Sequence, residues 1–129
     1  MKMAITLFAV TLGSSVAWAQ DLSKSEQSFI AITTAAPIVA GFCNTRVVPT
    51  AFVRIGDSLG LDDGYGLFKA TLAAMDVLGH KDYRREDLKP AVTRFVGEIA
   101  DAMASEFSEN KPAACKKYLE VLRTSGAVE

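Results

Sequence analysis

The chain has 129 residues, with 14 Lys and Arg against 15 Asp and Glu, and half of its residues are hydrophobic. That length bounds it to one modest domain. The nearly balanced charge gives no electrostatic reason to bind nucleic acid or an anionic membrane surface.

The first element is a leader. Met1-Lys2 precedes an apolar run, Met3–Leu12, and the segment closes on Ala17-Trp18-Ala19. One positive charge, a short apolar stretch and an A-x-A site predict a secretory signal peptide cleaved after Ala19. The run is shorter than the roughly 20 residues that span a bilayer. The expected product is Gln20–Glu129, a single helical domain located in the periplasm or the medium. Only Lys2 among the charged residues is removed, so 13 basic and 15 acidic side chains remain, net −2.

The mature segment reads as all-α. Ser23-Lys24-Ser25-Glu26 is a capping box, with Phe29, Ile32, Ala36, Val39, Ala40 and Cys43 following at helical spacing. Pro37 falls inside that run and predicts a kink or two abutting helices. Asn44–Val48 reads as a turn before Pro49, which opens a helix striped by Phe52, Ile55 and Leu59 and closed by Gly60. Asp62 or Asp63 caps the next helix, whose Tyr65, Phe68, Leu72 and Met75 are expected to face the core. It ends at Gly79.

The charged run Lys81–Asp87 alternates in sign and reads as a solvated face with local pairs such as Asp82 with Arg85. Asp87 is expected to cap the longest stripe: Leu88, Val92, Phe95, Val96, Ile99, Met103 and Phe107. Asn110 and Pro112 open the last helix, where Cys115, Tyr118, Leu119 and Leu122 share a face. Thr124–Glu129 is expected to fray. The sum is a bundle of about five short helices.

Cys43 and Cys115 are the two cysteines, and in an oxidising compartment they predict one intramolecular disulfide. It closes a loop of about 73 residues, contributing roughly 4 kcal/mol on the chain-entropy estimate. Intermolecular pairing and free thiols are the alternatives. The two do not form C-x-x-C, so a thioredoxin-like role has little support.

Arg54–Leu61, RIGDSLGL, contains both G-x-S-x-G and G-D-S-L. The tetrapeptide resembles the signature of a family of serine esterases, which implies an α/β fold, a nucleophile at Ser58 and D-x-x-H near the C-terminus. Here His80 is the sole histidine, and it follows Asp76 by four residues. No other segment reads as a strand of the parallel sheet that a nucleophile elbow requires. Ser58 is therefore read as a helix end, with no catalytic residue assigned.

Asp62-Asp63-Gly64 does not open a calcium loop, because the twelfth position would be Ala73. The glycines miss both dinucleotide and P-loop spacing. No metal or cofactor is expected. Tyr83, Arg84 and Arg85, and separately Arg46 beside Cys43, are the candidate contact residues, since Tyr and Arg concentrate at the energetic centres of interfaces.

In size, compartment and class the chain is similar to periplasmic acid-stress chaperones of the HdeA type and to secreted type VI immunity proteins. Local sequence around Cys43 and Cys115 matches neither. The expected activity is protein binding, of the inhibitor or immunity kind. A stress chaperone is the alternative, and a small-molecule binder in an interhelical groove also stands open.

Overall fold

The computed structural model describes residues 21–129, so the leader expected over Met1–Ala19 lies outside the described residues. Five α-helices follow in order: α1 Lys24–Phe42, α2 Ala51–Ser58, α3 Gly64–Leu78, α4 Pro90–Glu109 and α5 Lys111–Ser125. A 3₁₀ turn, Arg85–Asp87, precedes α4. The all-α expectation holds for these residues, and the only β pairing among them is an isolated bridge.

Helix α1 is the axis of the bundle and packs against all four other helices. Every residue from Ser28 to Ala36 is buried, so its middle has no solvent face. The single inward stripe expected for this helix is thus replaced by burial all round, which is what a helix apolar on every side requires. The helix runs unbroken through Pro37 to Phe42, not as two abutting pieces. Pro37 sits at an exposed position, and its missing N–H deprives the Thr33 carbonyl of its in-helix donor.

Two threonines lie in this buried stretch. Thr33 Oγ1 donates to the Phe29 carbonyl at 2.8 Å, whereas Thr34 Oγ1 is buried with no hydrogen-bond partner. An unpaired buried hydroxyl costs about 1–3 kcal/mol. Thr34→Val keeps the shape and removes that cost, so its urea midpoint should rise by the equivalent of about 1 kcal/mol. A lowered midpoint would show that the hydroxyl finds a partner in solution.

The helix ends follow local chemistry. Ser23 Oγ accepts from the Glu26 N–H at 3.0 Å and Glu26 Oε1 accepts from the Ser23 N–H at 2.8 Å, completing the capping box. Asp63 rather than Asp62 caps α3, through the Gly66 N–H at 2.9 Å. Asn110 caps α5, through the Ala113 N–H at 3.1 Å. Gly60 adopts φ +71°, and the bonds Leu61 N–H to Gly56 O and Gly60 N–H to Asp57 O close α2 as a Schellman motif. The same pair of bonds closes α3, but there His80, at φ +56°, holds the left-handed position and Gly79 does not.

Two expectations about the second half change. Asp87 does not cap α4; the N-cap is Lys89 without a side-chain bond, and Pro90 is the first helical residue. Asp87 lies in the 3₁₀ turn and faces Lys69 at 3.9 Å. Of the stripe, Val92, Phe95, Val96, Ile99, Met103 and Phe107 are all buried, whereas Leu88 is half-buried and precedes the helix.

The C-terminal residues are tied down instead of frayed. Gly126 reverses the chain at φ +83°, and Val128 pairs antiparallel with Val47. Val48 N–H donates to Ala127 O at 2.8 Å and Glu129 N–H to Arg46 O at 3.0 Å. Ala127 and Val128 are buried there.

Cys43 and Cys115 stand at disulfide distance, with their Cα atoms 5.6 Å apart, joining the end of α1 to the first turns of α5. Beside them Phe42 stacks on Phe107 at 4.9 Å and Phe107 on Tyr118 at 6.0 Å. Tyr118 donates its hydroxyl to Glu106, which also holds Lys117 at 2.9 Å. Burial, then the Glu106 hydrogen bond and charge, push the phenol well above its ordinary value. It stays a donor at any physiological pH.

Candidate functional site

Helix α3 is rotated from the face its sequence suggests, so that Phe68 and Met75 reach the edge of the core and Tyr65 and Leu72 do not. Its buried residues are Leu67, Ala70, Thr71, Ala73 and Ala74, mostly small. Of the larger stripe, Tyr65 is 73% exposed and Leu72 40%, while Phe68 and Met75 are half-buried. Small side chains let α3 lie close against α1, which itself buries Ala31, Ala35 and Ala36. Tyr65 and Leu72 are left outward, while Phe68 and Met75 pack against the edge of the core.

This outward stripe borders a groove of about 380 Å³ between α2 and α3. Phe29 and Phe52 are buried at its base, and Phe68 meets Phe52 with ring centroids 5.5 Å apart. Val53, 71% exposed, and Tyr65 also line it. Gly56 and Gly64 come together in the lining, where a Cβ on Gly56 would lie 3.9 Å from the Gly64 Cα. The charged residues of the lining are Asp57 and Asp62, both exposed carboxylates, with no cation among them.

A second groove, also about 380 Å³, adjoins through Lys69. The Lys69 ammonium lies 4.7 Å from the centre of the Tyr65 ring, while its side chain lines this second groove with Leu72, Tyr83 and Arg84. Arg84 pairs with Glu86 at 2.7 Å. The Glu86 hydrogen bond and charge, then Asp87 and Tyr65, raise the guanidinium above its ordinary value. Glu86 is lowered in turn by its own backbone N–H and by Arg84. The expected Asp82–Arg85 pair is absent from the ion pairs among the described residues, because the helical register it presumes starts only at Arg85.

The candidate contact residues therefore separate. Tyr83, 42% exposed, and Arg84 share a groove next to Tyr65, and Arg85 follows in the 3₁₀ turn. Arg46 belongs to another part of the surface, where it pairs with Glu129 at 3.0 Å beside the Val47–Val128 bridge. Thr45 Oγ1 also donates there, to the main-chain oxygen of Glu129. Tyr65 and Leu72 were missed as contact residues because helical spacing alone cannot tell an inward stripe from an outward one. Their signal was that the opposite face of α3, Ala70, Ala73 and Ala74, is also apolar.

Residues 51–58 are helical, so Ser58 is the last residue of α2 and not the apex of a strand-to-helix elbow. It is exposed. His80 serves the left-handed end of α3. No group of three or more His, Cys, Asp or Glu side chains gathers at metal-binding distance among the described residues. No helix among them is long and apolar enough to cross a membrane. No protein-family model, no curated protein and no solved structure matches the chain.

Proposed function

We propose that this is an exported helical protein that acts by binding one protein partner, without cofactor or catalysis, as an inhibitor or immunity factor does. The observation that carries the reading is the outward turn of α3. A small bundle that keeps its alanines inside and leaves Tyr65 and Leu72 in water forgoes burial it had available. Tyr83 and Arg84 adjoin this stripe, giving the Tyr and Arg composition typical of energetic centres in interfaces. The cysteine pair suits an oxidising compartment, which supports export, as does the leader read from Met1–Ala19.

Immobilised oxidised Gln20–Glu129, exposed to periplasmic and secreted fractions at neutral pH, should retain one saturable partner. Tyr65→Ala or Arg84→Ala should each weaken that retention by about 30-fold, the 2 kcal/mol of an interface hot spot. Many substoichiometric proteins retained only in acid would replace this reading by the stress chaperone. Labelling of Ser58 by a fluorophosphonate probe would replace it by the hydrolase.

A further inference from the structure

We infer that the α2–α3 groove receives a segment of the partner chain that carries a large apolar side chain flanked by Lys or Arg. The inference rests on the protein-binding reading above and names the chemistry of what is bound. The base of the groove, Phe29 and Phe52, is buried and aromatic, and offers no hydrogen-bonding side chain to a polar group. It is filled by an apolar anchor.

The charge sits elsewhere in the same groove. Asp57 and Asp62 line it as exposed carboxylates, and no cation lines it with them. Neither appears in an ion pair among the described residues. A cation attached directly to the buried anchor would have to enter the aromatic base, where desolvation opposes it. A cation on a neighbouring residue of the same segment stays at the solvent edge and meets both carboxylates there. Apolar anchor and flanking charge on separate residues describe a peptide segment, most simply an amphipathic helix laid in a groove. An organic amine combines the two in one small body and fits this division less well.

The two edges of the groove differ in charge, which selects orientation. Its Tyr65 edge carries Lys69 over the ring, so the acidic and basic rims are separated by one aromatic side chain. The segment's Lys or Arg is directed to the Asp57–Asp62 side and away from Lys69.

The test uses isotope-labelled oxidised Gln20–Glu129 and two model peptides with leucines at helical spacing, one flanked by lysines and one by glutamates. The lysine peptide should shift the Val53, Gly56, Gly64 and Tyr65 amides saturably and bind about tenfold more tightly than the glutamate peptide. Asp57→Asn with Asp62→Asn should abolish most of that preference, as should about 1 M salt, where screening shortens to about 3 Å. The variant keeps its fold, because both side chains are exposed and Asp63 provides the α3 cap.

Equal affinity for the two peptides, or shifts confined to other surfaces, would overturn the inference. So would octylamine binding this groove as tightly as the lysine peptide, which marks a small-molecule site. Concentration-dependent shifts at the same amides without peptide would assign the groove to a second copy of the chain. A natural partner lost on Tyr65→Ala and Arg84→Ala, with peptides that ignore the groove, removes this inference and leaves the protein-binding reading standing.

Discussion

Replacing both Cys43 and Cys115 by alanine should lower the unfolding free energy by about 4 kcal/mol. The pair closes a separation of 72 residues, so the cross-link removes many conformations from the unfolded chain. Against a total stability of about 5–15 kcal/mol for an ordinary domain, that loss is decisive. Equilibrium urea unfolding of the oxidised protein and the double variant measures it. The slope against urea should also be steeper in the variant, because its unfolded chain exposes more surface. A difference below about 1 kcal/mol would mean that strain in the native state offsets the chain-entropy gain.

The second large effect is at Phe29. Phe29→Ala should cost about 3–5 kcal/mol, as expected for truncating a fully buried aromatic side chain. The ring lies in the wall-to-wall packing of α1 and borders Gly56 of α2, where an added Cβ would lie 3.5 Å from Phe29 Cε1. Removing it takes away the seat of the shortest helix, so amides in Ala51–Ser58 should lose hydrogen-exchange protection before those of α4. Phe29→Leu retains most of the volume and should cost less than half as much. Uniform loss of protection along the chain would instead place α2 in the same cooperative unit as the rest.

Much of this architecture was legible because it is written in neighbouring residues. The capping box at Ser23–Glu26, the Asn110 cap, the Gly60 stop and the α4 stripe each depend on groups within a turn or two of one another. The Cys43–Cys115 pairing followed from there being two cysteines, both on apolar stripes. What failed depended on distant partners. That α1 is covered on every side, or that residues 127–129 pair with 46–48, requires knowing which helices arrive around them.

The face of α3 shows the limit most clearly. Larger side chains are the better guess for the inside when area alone decides. Here closeness to α1 decides, and alanines permit it. The candidate site was partly legible for a related reason. Tyr83 and Arg84 stood out by residue type, whereas Tyr65, Val53 and the two groove carboxylates acquire meaning only once α2 and α3 are placed side by side.

The central position of α1 bears on the order of events during synthesis. The first helix of the described chain is the one that needs all the others to cover it; Cys43 at its C-terminal end is tied to Cys115, and the segment that follows, residues 46–48, is tied to residues 127–129. Burial of α1 therefore becomes complete only when α5, the last helix in chain order, has appeared. A nascent chain lacking α5 leaves part of this apolar helix uncovered, and its closure waits for Lys111–Ser125.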